Sequence, residues 1–244
     1  MTAPLIRCRD VAKSFADHAV LRGVTLDVQA GETLVLLGGS GSGKSVLLKH
    51  LNGLLRADAG TVEVDGVALE RLDEDGLVPV RRRVSMLFQQ GALFDSLTVG
   101  DNVAFPLREH RMLDEPAIPA RVRDVLAMVG LEDTEHLKPA ELSGGMRKRA
   151  ALARALALEP RVVLYDEPTT GLDPVVAAKI NHLIRDLQRR LGLTAVVVTH
   201  DLASAFYVGD RIAFLFEGRI RFTGTPAEAR ASTDAPLHEF LTAS

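Results

Sequence analysis

A glycine-rich segment near the start of the chain could bind phosphate groups. Residues 38–45 fit the pattern G-x-x-x-x-G-K-[ST]. Inward-pointing backbone N–H groups can bind a triphosphate, and the concave path that they need favours glycine. Lys44 could reach the β- and γ-phosphates, and the Ser45 hydroxyl could ligate Mg²⁺. The predicted phosphate site comprises Gly38, Gly39, Ser40, Gly41, Ser42, Gly43, Lys44 and Ser45.

Two carboxylates follow the apolar run 162–165. At the carboxyl end of a parallel strand, Asp166 could hold Mg²⁺ directly or through water. Glu167 could orient or deprotonate an attacking water. Adjacent carboxylates are also common in turns, so this interpretation depends on the phosphate site upstream. Together with that site, the pair predicts hydrolysis of a bound nucleotide.

Gln89 and His200 are candidate site residues only because the phosphate segment and the two carboxylates occur in the same chain. Gln89 follows the run 84–88 and could reach Mg²⁺ and the attacking water. His200 follows the apolar run 195–199 and could donate a hydrogen bond to the γ-phosphate, although a lone histidine at a strand end is more often an ordinary polar residue. The predicted catalytic residues are Lys44, Glu167 and His200, and the predicted metal ligands are Ser45, Gln89 and Asp166.

A second segment could bind an anion at the start of a helix. Ser143, Gly144 and Gly145 precede a predicted helix over residues 146–158, and such a helix start can hold a phosphate. An ordinary capped helix explains the segment equally well. Because residues 38–45 already surround one triphosphate, we predict that this second site serves the nucleotide of a neighbouring copy.

The apolar pattern predicts an α/β fold that positions these residues. Strand and helix signals alternate in the second half of the chain, which favours parallel strands. Two predicted strands, 211–216 and 219–223, flank Glu217 and Gly218, as in a β-hairpin. The predicted strands are 5–11, 20–28, 33–37, 60–66, 162–166, 194–199, 211–216 and 219–223, and the predicted helices of the core are 45–55 and 175–191.

Strand signals stop between about residues 95 and 158, where helical patterns dominate. Pro106, Pro116, Pro119 and Pro139 punctuate this region. We predict a single domain over residues 1–244, in which this helical subdomain is inserted into a core of about 1–94 and 159–244.

Composition excludes some classes of protein. The net charge of −3 gives no electrostatic reason to expect a nucleic-acid partner, and the single cysteine, Cys8, cannot form an internal disulfide. No apolar run approaches the ~18 residues that cross a bilayer, and the start of the chain lacks a signal-peptide core. We expect a soluble, unexported chain that can still bind a membrane through a partner.

The combined motifs resemble those of an ATP-binding cassette (ABC) ATPase over residues 5–225. They are the phosphate segment, the glutamine, the sequences LSGGM (142–146) and VVLYDE (162–167), and the sequences TGLD (170–173) and THD (199–201). The resemblance implies a P-loop NTPase core, an N-terminal antiparallel β subdomain and the inserted helical subdomain. It also implies hydrolysis of ATP with Mg²⁺ by a head-to-tail homodimer.

The same resemblance assigns further residues. Ser143, Gly144 and Gly145 would contact the γ-phosphate bound by the partner, Asp173 would lie at the dimer interface, and Phe15 would stack on adenine. Two positions depart from the family pattern, since Met146 replaces the usual glutamine and Gly39 the usual proline. Neither departure changes a catalytic group.

The resemblance favours a transporter subunit. Soluble ABC proteins of DNA repair, chromosome structure or translation generally carry two cassettes, coiled-coil arms or zinc sites, whereas this chain has one cassette and no sustained heptads. Residues 85–110 and 142–156 are similar to those of the ATPases of Mla systems, which maintain the lipid asymmetry of the Gram-negative outer membrane. That similarity implies a permease, an MCE-domain lipid-binding protein, a STAS-domain small subunit and phospholipid cargo, at the cytoplasmic face of the inner membrane.

Two alternatives remain at this point. The chain could serve a polar amino-acid or other small-solute importer, because such ATPases share every catalytic motif. Sugar and methionine importers often add a C-terminal regulatory domain, for which the sequence up to Ser244 leaves no room. The similarity of residues 85–110 could also arise by chance on a generic coupling surface. The basic run 81–83 is interpreted as a solvated face.

Overall fold

Short apolar runs form the centre of a six-stranded sheet. The computed structural model describes residues 3–242. In it, β3 (Thr33–Leu37), β7 (Val162–Asp166) and β8 (Thr194–Val198) are buried along their whole length. β3 pairs with β8, β8 with β7, and β7 with β6 (Val84–Leu87), all in parallel. The predicted parallel pairing is therefore confirmed.

A hairpin completes this sheet on its other side. β9 (Arg211–Phe216) runs parallel to β3, and β10 (Arg219–Gly224) folds back antiparallel on β9. Glu217 and Gly218 both have positive φ, at 47° and 74°, as a tight primed turn requires. The strand order is β10-β9-β3-β8-β7-β6, which puts β3 and β7 on either side of β8.

The N-terminal strands form a separate antiparallel sheet. It contains β1 (Ile6–Phe15), β2 (His18–Val28), β4 (Ala59–Val64) and β5 (Val67–Ala68) in the order β2-β1-β4-β5. This arrangement agrees with the fold expected from the family resemblance. The backbone N–H of Arg22 donates to the carbonyl of Gly218 at 2.8 Å, so a hydrogen bond joins this sheet to the hairpin.

Helices connect and cover the strands. Three of them lie in the region predicted to be helical: α3 (Val99–Glu109), α4 (Ile118–Met128) and α5 (Gly144–Leu156). The others are α1 (Lys44–His50), α2 (Glu74–Arg83), α6 (Pro174–Leu191), α7 (Leu202–Val208), α8 (Pro226–Arg230) and α9 (Ala235–Thr242). No helix among residues 3–242 is both long and apolar enough to span a bilayer.

The predicted extent of the first helix was wrong. α1 ends at His50 rather than at residue 55. Gly53 adopts a φ of +70°, and a Cβ there would lie 2.6 Å from Leu77 Cδ2. The chain therefore leaves the helical path before residue 55, and Gly53 makes both the left-handed backbone and the close approach of Leu77 possible.

Alternate residues of the central strands supply two apolar cores. Val35, Val163 and Val197 face a core shared with α3–α6, whereas Leu34, Leu164 and Val196 face a core shared with α1 and the antiparallel sheet. Burial on both faces explains why these strands are apolar without interruption. Because β3, β8 and β7 are parallel, their carboxyl ends lie at the same edge of the sheet.

Candidate active site

The phosphate segment connects β3 to α1 through a path that glycine makes possible. A Cβ on Gly38 would lie 2.3 Å from the carbonyl oxygen of Leu215, and one on Gly43 would lie 2.9 Å from Leu21 Cδ2. Gly43 also has a φ of +103°. The loop therefore lies against its neighbours without room for side chains at these positions. α1 begins at Lys44, within this segment, so the positive end of the helix dipole faces the loop.

Lys44 is a buried cation whose hydrogen-bond partners among residues 3–242 are backbone carbonyl groups. Its Nζ donates to the carbonyl oxygens of Gly38 and Gly39, at 2.8 Å each. Burial lowers the pKa of Lys44, while the charges of Glu167 and Asp166 act in the opposite direction. A phosphate would supply the anionic partner that such a group favours.

Ser42 provides a second observation that fits a phosphate ligand. Its Oγ is buried and has no hydrogen-bond partner among the described residues. Buried hydroxyls are normally hydrogen-bonded. A phosphate oxygen in the loop could accept from this hydroxyl.

A hydroxyl and a carboxylate meet at the end of β7. Ser45 Oγ donates to Asp166 Oδ1 at 2.7 Å, and Asp166 is 8 % exposed. The two residues are 121 positions apart in the sequence. They offer the hard oxygen ligands that Mg²⁺ binds, and phosphate oxygens and water could complete its shell.

Glu167 is held in one position by its backbone and its side chain. Its φ of +50° is uncommon for a residue other than glycine, and its N–H donates to the carbonyl of Val198 at 2.9 Å. Oε1 lies 2.9 Å from His200 Nδ1, and Oε2 accepts from the Thr170 hydroxyl at 3.1 Å. The carboxylate is thus oriented and can accept a proton from a water in the cleft.

A cleft of about 1300 Å³ brings most of the predicted residues together. Phe15, Lys44, Gln89, Glu167 and His200 line it. The Phe15 ring is 45 % exposed, as a stacking platform requires. The Lys13 ammonium lies 5.6 Å from the centroid of that ring.

Some residues of the cleft were not assigned to the site from the sequence, among them an imidazole and an aromatic ring. His18 and Phe240 line the same cleft. His18 opens β2 immediately after a turn, and Phe240 is in α9 near the end of the chain. Neither belongs to a motif, so only the fold places them here.

The second glycine segment lies outside this cleft. Ser143 caps α5, and its Oγ accepts from the N–H of Met146 at 3.3 Å. A Cβ on Gly145 would lie 2.6 Å from Val176 Cγ1, and one on Gly144 would lie 3.3 Å from Leu172 Cδ2. The segment therefore packs against α6 of its own chain, and none of its residues lines the cleft.

Asp173 is the N-cap of α6. Its Oδ1 accepts from the N–H groups of Val175 and Val176, at 3.0 Å each. Asp173, which is predicted to lie at a dimer interface, therefore also stabilises the start of α6 within its own chain.

The basic run 81–83 is not simply a solvated face. Arg81 pairs with Glu74 and donates to backbone carbonyls of residues 52 and 53. Arg82 donates to the carbonyl of His110, and Arg83 pairs with Asp65. The three side chains fix neighbouring segments of the chain.

The fold and the cleft define a P-loop ATPase of the cassette type. The family model described as "ABC transporter" matches residues 21–170, and the chain belongs to that family. It is an ATP-hydrolysing subunit of a transporter, and it binds ATP.

Three relatives cover nearly the whole chain. The chain is 44% identical over 97% of its length to the probable ribonucleotide transport ATP-binding protein mkl of Mycobacterium leprae, covering 68% of that protein. It is 39% identical over 98% of its length to the intermembrane phospholipid transport system ATP-binding protein MlaF of Escherichia coli K12, covering 89% of it. It is also 39% identical over 98% of its length to the methionine import ATP-binding protein MetN of Brucella abortus, covering 65% of it.

A solved structure shares the fold and the nucleotide chemistry. It is the dimeric post-hydrolysis state of the ATP-binding cassette MJ0796, bound to ADP and Pi. The TM-score is 0.83 and the identity 34%, over 91% of this chain and 98% of that chain.

Proposed function

We propose that this ATPase powers phospholipid transport between the inner and outer membranes. The main observation that supports this proposal is the 39% identity to MlaF, which extends over 89% of that protein. The similarity of residues 85–110 and 142–156 to Mla-type ATPases supports the same assignment. The chain would work at the cytoplasmic face of the inner membrane as a single cassette with its inserted helical subdomain.

In the proposed site, each residue acts on ATP or on the attacking water. The N–H groups of the loop and Lys44 would bind the phosphates, and Phe15 would stack on adenine. Ser45, Asp166 and Gln89 would hold Mg²⁺, which neutralises charge on the phosphate oxygens when bound. Glu167 would take a proton from the attacking water, and His200 orients its carboxylate.

The proposed working unit is a head-to-tail homodimer. Ser143, Gly144 and Gly145 lie outside the cleft of their own chain, and the related cassette MJ0796 is dimeric in its structure with ADP and Pi. The segment would contact the γ-phosphate bound by the partner, and Asp173 would lie at the interface. ATP would then be held from both sides, and its hydrolysis would release the two cassettes.

An exposed apolar patch supports a permease partner. Phe94 and Phe105 are 43 % and 40 % exposed, and their ring centroids lie 4.8 Å apart. Groups of exposed apolar side chains mark interaction sites. We propose that this patch contacts the membrane-spanning subunit, and that an MCE-domain protein and a STAS-domain subunit complete the complex.

The second candidate is an importer of a small solute. The 39% identity to MetN favours it specifically. The cited relatives are named for ribonucleotide, phospholipid and methionine transport. The partner bound at the patch would therefore identify the cargo.

Site-specific photo-cross-linking in cells would separate the two candidates. A photoreactive residue at position 105 should capture a permease that co-purifies with an MCE-domain protein. The same residue at position 191, an exposed leucine at the end of α6, is the control and should not. Capture of a permease that co-purifies with a periplasmic solute-binding protein would reject the lipid assignment.

A further inference from the structure

A buried lysine on α5 contacts two segments of the active site. Lys148 is 7 % exposed. Its Nζ donates to the carbonyl oxygen of Gln89 and lies 3.5 Å from the carbonyl oxygen of Glu167. Gln89 and Glu167 both line the cleft, whereas Lys148 does not. The lysine therefore reaches the backbone of the site from outside.

Burial of the Lys148 charge at this position destabilises the fold, which suggests that the lysine has a specific role there. Among residues 3–242, no carboxylate lies within ion-pair distance of Lys148. Burial lowers the pKa of Lys148, and the charges of Glu167 and Asp166 only partly oppose that effect. A buried charge without an ionic partner destabilises a fold. An apolar side chain would fill the same space at lower cost.

Neighbouring side chains of α5 hold the same loop. Arg154 donates to the carbonyl oxygens of Gly91 and Ala92, at 2.9 and 2.7 Å. A Cβ on Gly91 would lie 3.2 Å from the Ala151 Cβ. Positions 148, 151 and 154 follow one face of the helix. That face therefore binds the backbone of residues 89–92, and Lys148 extends the contact to Glu167.

Glu167 needs such support. Its backbone has a φ of +50°, a conformation that persists in a non-glycine residue only when surrounding groups hold it. The carbonyl that Lys148 approaches belongs to this strained residue. Its carboxylate faces the cleft beside His200.

We propose that Lys148 is a positioning residue for ATP hydrolysis, which ties α5 to the backbones of Gln89 and Glu167. It thereby keeps the Glu167 carboxylate aligned with the water that attacks ATP. Because Lys148 does not line the cleft, its loss should slow turnover and leave ATP affinity nearly unchanged. The cargo plays no part in this proposal, so it stands or falls separately from lipid transport.

The test compares Lys148→Met with Arg149→Met. Arg149 is the next residue on α5, and its Nη1 also approaches two backbone carbonyls, those of Val129 and Gly130. Both of those lie within the helical region. Steady-state ATPase kinetics are measured on the full chain, purified with the membrane partner that it retains, and ATP binding is measured on the same samples.

We expect Lys148→Met to lower kcat and to leave KM nearly unchanged. Lys148→Met should lower kcat about ten- to hundredfold, with KM and Kd for ATP within about twofold of wild type, since no phosphate contact is lost. Lys148→Arg should restore most of kcat, because a longer cation can still donate to both carbonyls. Arg149→Met should stay within about twofold of wild type.

Three outcomes would overturn the proposal. They are a Lys148→Met kcat within about twofold of wild type, an equal loss in Arg149→Met, or a loss that appears in Kd rather than in kcat. Lys148→Gln covers the case in which the methionine variant fails to fold. Its shorter, neutral side chain cannot reach both carbonyls, so a soluble Lys148→Gln with wild-type kcat also overturns the proposal.

Amide hydrogen exchange gives a second readout. Lys148→Met should speed exchange in residues 89–92 and 166–168, while Arg149→Met should speed it only near residues 129–131. Equal exchange at 166–168 in Lys148→Met and wild type would contradict the link to Glu167.

Discussion

The two glycine segments of this chain differ in what surrounds them. Residues 38–45 lie at the edge of the central sheet, where a lysine, a hydroxyl and two carboxylates from distant positions converge. Residues 143–145 cap a helix and pack against Leu172 and Val176, outside the cleft of their own chain. The first segment belongs to an assembled site, and the second presents a helix start that a neighbour could use. The following experiments test this difference.

The largest effect is expected for Glu167→Gln. The amide keeps the shape of the side chain and can still contact His200 and Thr170, but it cannot take a proton. Turnover should fall about 10²- to 10⁴-fold, while ATP binding is retained and a closed dimer accumulates. ATPase kinetics and size-exclusion chromatography with ATP measure both.

Glu159→Gln is the matched control for that variant. Glu159 also has a positive φ, of 53°, but its side chain is exposed and pairs with Arg121 outside the cleft. This variant should hydrolyse ATP normally. Normal hydrolysis by Glu167→Gln as well would remove Glu167 as the base.

Lys44→Ala should weaken ATP binding. The substitution removes the buried cation of the loop, and a charged hydrogen bond contributes about 1.5–3 kcal/mol, so we expect roughly ten- to hundredfold weaker binding. Titration with a fluorescent ATP analogue measures the Kd. Lys49→Ala, on the last turn of the same helix, is the control. Equal affinity in Lys44→Ala and Lys49→Ala would argue against the phosphate assignment.

Mixed dimers test whether the second segment acts across subunits. A Lys44→Ala subunit paired with a Ser143→Arg subunit has both lesions in one shared site and leaves the other intact. Isolated mixed dimers of this kind should keep about half of wild-type ATPase activity, whereas each variant alone loses it. Mixed dimers as inactive as the Lys44→Ala homodimer would place both residues in one chain's site, and mixed dimers as active as wild type would rule out any shared site.

Ser143→Ala distinguishes steric blocking of the proposed dimer interface from loss of the N-cap of α5. It removes the hydroxyl that caps α5 but adds no bulk at the interface. We expect it to lower stability by about 1 kcal/mol without the full loss of activity seen in Ser143→Arg. An equal loss of activity in both variants would mean that the hydroxyl itself is needed.

The last prediction concerns stability rather than activity, through the packing of Gly145. Alanine there would contact Val176 Cγ1 at 2.6 Å, and overpacking of this kind destabilises by about 1–3 kcal/mol. The thermal midpoint of Gly145→Ala should fall by several degrees, about 2–4 °C per kcal/mol. Gly144→Ala should change it less, since the Leu172 Cδ2 that it meets can move. Addition of Val176→Ala to Gly145→Ala should restore the midpoint.

Sequence patterns were most informative where a motif combines with a strand end. They predicted the places of residues 38–45, Asp166, Glu167 and His200 at strand ends, because a buried parallel strand must release its next residue at one edge of the sheet. They did not reveal α2 or the early end of α1, which is followed by a left-handed glycine at position 53 that packs closely against α2. Tertiary packing decides such boundaries.

Lys148 could not be identified in the same way. A lysine on an amphipathic helix is normally solvated, and its partners here are backbone carbonyls, which leave no signature in residue types. The fold of residues 89–92 and the strained backbone at Glu167 create that contact. The same reasoning applies to His18 and Phe240, which the chain brings to the cleft from its two ends.

The Asp173 carboxylate has one consequence for assembly. It is already bound by the first amides of α6, a helix of 18 residues. A neighbouring molecule that recruited this carboxylate would leave those amides without an acceptor and loosen the first turn of the helix. Association at this point would therefore compete with local order, unless the newcomer or a water molecule replaced the lost acceptor.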